Sequence, residues 1–336
     1  MNGIFRWAGG KGRIADKLFA RIDTRLSLRQ AEPYADRAPR WIEPFVGGGA
    51  MALEALRRGL AHEYILADAS DDVMSVYDTL YNLYTEDWLL SKLRDFAAQP
   101  ETEQRTQFLS QRGAFTPLFH NRARRLLILQ ACGFNGLYRV NKSGAYNVPF
   151  GRCATFDFEL LAEAAKLLRE HEVKLLTQDF EQTIALADPG DIVYADPPYL
   201  GTHSGYTAQG FDIETHRRLA AALRRAAARG AVCWLSGSDC EETRAIYGGT
   251  VYSVPVSRSL SCKGATRGTK TELLIRMYLK EEQNGHCQTS RREATRALDH
   301  YPKEARTVRT IETRKTARRP DRKSRERGDA IRRACW

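Results

Sequence analysis

The apolar run WIEPFV (41–46) ends directly on Gly47, Gly48 and Gly49, and AMALEALRRG (50–59) then continues with helical spacing. A strand that turns into a helix through glycine opens a βαβ unit, and the second half follows at once. Residues 64–67 are apolar, Asp68 closes the run, and a helical pattern occupies 71 to about 84. Parallel strands need a crossover of this kind, so the pattern specifies an α/β chain. Strand and helix alternation resumes later, with VKLL (173–176), DIVYA (191–195), a helix over about 214–229, AVCWLS (231–236), and closing strands near 250–256 and 271–279.

Between these halves, residues 88 to 130 read as several amphipathic helices, and FNGLYRVNKSGAYNVPFG (134–151) breaks that pattern by alternating aromatic and polar residues. A β-hairpin fits the alternation. The net charge of +11 favours a polyanionic partner, but it is unevenly placed. From His286 to Trp336 there are 16 Lys or Arg against 7 Asp or Glu, a net of +9, which leaves the rest of the chain at +2. That extension has few large apolar residues and no sustained period, so it is expected to stay disordered. The seven cysteines are scattered singly without metal-ligand spacing and are expected to be reduced thiols. No run of about 18 apolar residues suggests a membrane span, and no apolar leader opens the chain. The expectation is a cytoplasmic protein with no membrane association and no metal.

Two places in this frame carry chemistry. The glycine turn with Asp68 about twenty residues on describes a nucleotide crevice, in which glycines admit a ligand close to the backbone and a carboxylate bonds ribose hydroxyls. It is not the GxGxxG fingerprint, and neither GGKG (9–12) nor GGGAM supplies the GKS or GKT ending of a phosphate-binding loop. Pyridine nucleotide and ATP readings are correspondingly weak. The second place is Asp196-Pro197-Pro198-Tyr199, at the carboxyl end of DIVYA. Two prolines bar both helix and ladder pairing after the strand, holding a carboxylate, free carbonyls and an aromatic ring at the crevice mouth. That set suits an exocyclic amine. The Asp196 carboxylate and the Pro197 carbonyl can each accept one N–H, which draws the nitrogen lone pair toward a sulfonium methyl. Tyr199 can stack on a base extruded from its duplex.

RWAGGKGRIADKL (6–18), IEPFVGGGAM (42–51), YILADASDDVMSVYDTLY (64–81), GFNGLYRVNKSGAYNVPFGR (133–152), IVYADPPY (192–199) and SLSCKGATRGTKTELL (259–274) together resemble the Dam-like, D12-class adenine-N6 DNA methyltransferases, in that family's order. The resemblance covers about residues 4 to 280. It implies a Rossmann-like sheet binding S-adenosylmethionine, with an inserted, mostly helical target-recognition domain that carries the β-hairpin. The expected domains are a discontinuous catalytic domain (1–70 and 158–282), a target-recognition domain (71–157) and a basic tail (283–336). By the same resemblance, Trp7, Lys11, Phe45, Gly47, Gly49, Asp68, Asp179 and Asp196 belong to the cofactor site, with Asp179 toward the cofactor adenine, and Asp196, Pro197, Pro198 and Tyr199 to catalysis.

Within the hairpin, Asn135, Leu137, Arg139, Asn141 and Lys142 combine the polar, apolar and basic groups that reading base edges requires, and an arginine can bond guanine bidentately in the major groove. The resemblance implies double-stranded DNA as partner and an adenine in GATC as the expected target. A monomer is the expected state, and a partner restriction endonuclease is compatible with the resemblance. Three alternatives stay open from the residues alone: an N4-cytosine methyltransferase, an RNA amino-methyltransferase, and an inactive methyltransferase scaffold that only binds DNA. The basic extension and residues 88 to 125 match no motif of the family.

Overall fold

The strands of this chain alternate large side chains between two cores, one on each face of a single sheet. Trp41, Tyr64, Leu66, Ile192, Tyr194, Trp234 and Leu274 point into one cluster, while Ile42, Ile65, Val193, Ala195, Cys233, Leu235, Leu273 and Ile275 point into the other. This period-two partition, with apolar residues on both sides, is what a sheet covered on both faces by helices demands. The computed structural model describes residues 2–7, 9–29, 38–113, 118–141, 144–200, 211–256 and 270–277. Lys142 and the basic extension lie outside the described residues, all of which fall within one compact unit, Met1–Asn284. No helix among them is long and apolar enough to cross a membrane.

In chain order the elements are α1 (Ala15–Arg29), β1 (Arg40–Glu43), α2 (Ala50–Arg57), β2 (Glu63–Asp68), α3 (Asp71–Tyr81), α4 (Leu83–Ala97), α5 (Glu101–Gly113), α6 (Phe119–Cys132), α7 (Phe158–Glu170), β3 (Glu172–Thr177), α8 (Phe180–Ala185), β4 (Ile192–Ala195), α9 (Ile213–Ala228), β5 (Val232–Ser238), α10 (Glu241–Tyr247), β6 (Thr250–Val256) and β7 (Lys270–Arg276). The sheet order is β3-β2-β1-β4-β5-β7-β6. The first five strands are parallel, and β7 lies antiparallel between β5 and β6. The strand order therefore reverses between β1 and β4. In an open α/β sheet that reversal leaves a crevice beyond the carboxyl ends of the two strands, where ligands bind. The turn 44–49 and residues 196–199 both leave the sheet at that edge.

The opposite end of the β1–β4 pair is locked by charge. Asp191, buried, accepts from the Arg40 guanidinium (2.9 and 2.5 Å) and from the Arg40 backbone N–H (3.0 Å). On one face Phe19, Trp41 and Tyr194 form a continuous stack, with centroid spacings of 5.6 and 5.9 Å. Helices α4 to α6 occupy the stretch with helical patterning, and α3 packs on both α6 and α7.

Residues 134–141 and 144–151 run back along each other as an irregular hairpin. Two isolated antiparallel bridges, Gly133–Phe150 and Val140–Tyr146, take the place of continuous strands. Three local causes are visible. Asn135 (φ 57°) and Gly136 (φ 64°) are left-handed and wind the first arm into a 3-10 turn. The Tyr146 hydroxyl donates to the Leu129 (3.0 Å) and Leu137 (2.9 Å) carbonyls, placing a side chain where a ladder partner would stand. Pro149 has no N–H to offer.

Candidate active site

Lys11 comes from the turn before α1, Asp196 from the end of β4, Tyr199 from the loop behind it, and Glu272 from β7. The four side chains meet in one group around the buried lysine. The Lys11 ammonium, 2% exposed, lies 2.7 Å from each carboxylate oxygen of Asp196, 3.0 Å from Glu272 Oε1 and 2.6 Å from the Gly9 carbonyl. It sits over the Tyr199 ring, 4.9 Å from the centroid, and the Tyr199 hydroxyl donates to the same Glu272 oxygen. Glu43, at the end of β1, is a further buried carboxyl close by, accepting from Trp41 Nε1 at 3.0 Å.

Burial dominates the electrostatics here. It pushes the Asp196 carboxyl up to about 6; the Glu272 charge adds to the rise, and Lys11 opposes it. Burial works against the Lys11 charge, but Asp196 and Glu272 outweigh it and hold the ammonium above the usual lysine range. Desolvation lifts Glu43 well above the usual carboxylate range, with Trp41 and Lys11 acting to lower it. Tyr194 and Tyr199 are raised by burial and stay protonated. Pro197 is buried, and Pro198 is half-buried.

Beside this group lies the glycine turn. Gly47 (φ 46°) and Gly49 (φ 77°) are left-handed and closely wrapped. A Cβ on Gly47 would come within 2.6 Å of Trp7 Cδ1, and one on Gly49 within 2.4 Å of the Tyr77 hydroxyl, which donates to the Gly47 carbonyl at 2.9 Å. Asp68 accepts from the Gly47 N–H (3.1 Å) and the Ser70 N–H (2.9 Å). Desolvation raises its carboxyl to about 6 despite those bonds. Phe45 lies in an aromatic layer with Phe180 (5.4 Å) and Phe211 (5.8 Å). Asp179, at the end of β3, caps α8 by accepting from the Glu181 N–H (2.8 Å), so it adjoins this layer through Phe180.

The irregular hairpin stands apart from both groups but is tied to them. Tyr138 contacts the Trp7 ring at 5.2 Å and donates to Asp72 at 2.8 Å, which also takes Arg125 at 3.2 Å. With its amide turned to satisfy both neighbours, Gln130 donates to the Gly136 (2.6 Å) and Arg6 (2.9 Å) carbonyls. Asn135, Leu137, Arg139 and Asn141 are all exposed. Arg139 Nε donates to Asn147 Oδ1 at 2.7 Å, and Asn141 Oδ1 accepts from the Ala145 N–H at 3.0 Å.

Sequence reasoning did not select Glu272, Glu43 or Tyr77. Glu272 shows locally only as one acid opening the apolar run LLI, and Tyr77 looks like any core position of an amphipathic helix.

Residues 7–259 match the family model of the D12 class N6 adenine-specific DNA methyltransferases. A type II methyltransferase of Methanocaldococcus jannaschii, M.MjaIII, is 33% identical over 296 residues, covering 82% of this chain and 98% of that protein. A DNA N-6-adenine-methyltransferase of Escherichia phage P1 is 32% identical over 81% of this chain, a match spanning 35% of the phage protein. A DNA adenine methylase of Vibrio cholerae is 29% identical, covering 81% of this chain and 94% of that protein. A reversal of strand order between β1 and β4, an Asp-Pro-Pro-Tyr segment at the carboxyl end of β4 and a match over three quarters of the sequence agree, and the chain belongs to the D12 class of N6 adenine-specific DNA methyltransferases.

Proposed function

We propose that the protein transfers a methyl group from S-adenosylmethionine to N6 of an adenine flipped out of duplex DNA, with GATC as its sequence. The observation that carries this reading is the Asp196 carboxylate, desolvated at the strand-order reversal and held by a buried lysine. The residues around it fit the donor. Asp68 offers an acceptor to a ribose, the Phe45–Phe180 layer offers a face to a purine, and the left-handed turn at Gly47 and Gly49 admits a ligand against the backbone. S-adenosylmethionine would supply an electrophilic methyl on sulfur, and the sulfur would keep the electron pair of the broken C–S bond as a neutral thioether.

The chain's own residues prepare the nucleophile. Asp196 and the Pro197 carbonyl accept the two amine protons, so the nitrogen lone pair turns out of the ring's conjugation. Asp196 then takes one proton as the new N–C bond forms, its raised affinity for a proton suiting it to that step. Tyr199 supplies the stacking surface for the flipped base. Asn135, Leu137, Arg139, Asn141 and Lys142 read the flanking bases, within a recognition module over 71–157 inserted between the catalytic segments 1–70 and 158–282.

The test is to incubate the protein with methyl-labelled S-adenosylmethionine and unmethylated duplex DNA, then digest the DNA to nucleosides. Label in N6-methyldeoxyadenosine is expected, and mapping of the modified bases should return GATC. In Asp196→Ala the label should vanish while DNA binding persists, because the missing acceptor acts in the transition state. Label in N4-methylcytosine, or undiminished transfer by Asp196→Ala, overturns the reading.

A further inference from the structure

Lys11 carries three N–H bonds. The Gly9 carbonyl takes one, at 2.6 Å, and Glu272 Oε1 lies 3.0 Å away in line for another. One remains for Asp196, divided between two oxygens each 2.7 Å from the nitrogen. Without Glu272, Asp196 would be the one carboxylate among the described residues left in ion-pair contact with the buried ammonium, and it could not turn to an incoming amine without stranding a desolvated charge. With Glu272 in place, the lysine keeps a counter-ion throughout. The same Glu272 oxygen accepts from the Tyr199 hydroxyl, so one acid on β7 fixes both the lysine and the aromatic ring of the Asp-Pro-Pro-Tyr segment.

We propose that Glu272 is the positioning residue of this active site: it holds Lys11 and Tyr199 together, and by sharing the lysine's charge it leaves Asp196 able to accept the protons of the target amine. The assignment rests on the proposed role of Asp196. Its strand position supports it, because Glu272 lies opposite Ser238 of β5 and Val254 of β6, in the three-stranded antiparallel part of the sheet, and reaches into a crevice formed by the parallel part. Among the described residues, the ionisable groups around Asp196 are Lys11 from the N-terminal turn, Glu43 from β1, Tyr194 and Tyr199 from β4 and its loop, and Glu272 from β7. Of these, the Glu272 charge raises the Asp196 carboxyl, whereas Lys11 and the Tyr199 hydroxyl lower it.

That opposition of sign gives the experiment. Single-turnover methyl transfer to unmethylated bacterial genomic DNA, at saturating S-adenosylmethionine, is followed between about pH 5 and 9 for the wild type, Glu272→Gln, Tyr199→Phe and Asp196→Asn. Glutamine keeps the shape and can still accept the phenol, but it removes the charge. The acid limb should move down by about one pH unit, as expected for removing a like charge at close range, and the plateau rate should fall by about tenfold as the lysine reverts to Asp196 alone. In Tyr199→Phe the limb should move the other way, because Glu272 loses the phenol's hydrogen bond and its unshared charge acts more strongly on Asp196. Cofactor binding by each variant checks that it folds, and if Glu272→Gln fails that check, the upward shift in Tyr199→Phe decides the matter. An unmoved acid limb in a folded Glu272→Gln overturns the assignment whatever its rate, since a merely structural residue would slow the reaction without displacing its titration. Wild-type transfer by Asp196→Asn would instead remove the reading of Asp196 on which the assignment rests.

Discussion

At the scale of single residues, two carboxylates with the same raised value have different proposed roles, and pH profiles separate those roles. Burial lifts both Asp196 and Asp68 to about 6. Both are ionised above that value and progressively protonated below it, and a protonated carboxyl is a poorer acceptor for an amine or a ribose. Methyl transfer at saturating cofactor should therefore be flat above about pH 7 and fall by about tenfold per unit below about 6, reporting Asp196 alone. The transfer rate divided by the Michaelis constant for the cofactor should fall more steeply over the same range, because Asp68 titrates as well. Equal slopes in the two profiles would count against Asp68 as the ribose acceptor. In the recognition segment, Arg139→Ala should cost roughly 1–3 kcal/mol of discrimination at one base pair, if its guanidinium reads a guanine edge. Methylation counts over a library of sites measure this directly, and a uniform drop across all sequences would make Arg139 a phosphate contact.

The glycine turn between β1 and α2 shows at the scale of elements how backbone and packing are satisfied by the same residue. Gly49→Ala forces a side chain into the left-handed region and into the Tyr77 hydroxyl, and should destabilise the fold by roughly 1–3 kcal/mol. A second change, Tyr77→Phe, should recover the part due to the clash and leave the part due to φ, as read from the two melting curves. This turn was legible in the sequence because glycine advertises backbone freedom locally. So were β1, β2, β4 and β5, whose apolar runs are bounded by turn residues, and the acids at the ends of β2 and β4. Less of the hairpin could be read. Its alternation marks a chain that doubles back, but the tyrosine that replaces a ladder rung bonds to the Leu129 carbonyl 17 residues away in sequence, and no local pattern encodes that. The cluster around Lys11 lies at the far end of that difficulty. Lys11 and Asp196 are 185 residues apart, and nothing in either neighbourhood says that they touch. Motif resemblance placed each in the site separately, while Glu272, a lone acid in a strand, needed the sheet order to be found.

For the whole molecule, charge and assembly give separate consequences. Nine of the eleven net positive charges lie beyond Gly285. Truncation there should leave a folded enzyme with the same modified sequence, but should lower the log-log slope of DNA binding against salt by about one unit for each phosphate that the extension neutralises. An unchanged slope would mean that the extension does not touch DNA, and an altered target sequence would place base reading within it. The lysine–carboxylate cluster, by contrast, draws on residue 11 and residue 272, so it joins the first turn of the described fold to its final strand. A polypeptide emerging from the ribosome has its glycine turn and its Asp-Pro-Pro-Tyr segment exposed to the cell well before Glu272 is synthesised, and during that interval the lysine lacks the Glu272 counter-ion. Competence should therefore arrive late and abruptly in synthesis. Nascent chains arrested before residue 270 should not modify DNA, however well their parallel strands have formed, so an adenine mark is left only by molecules whose sheet has been completed.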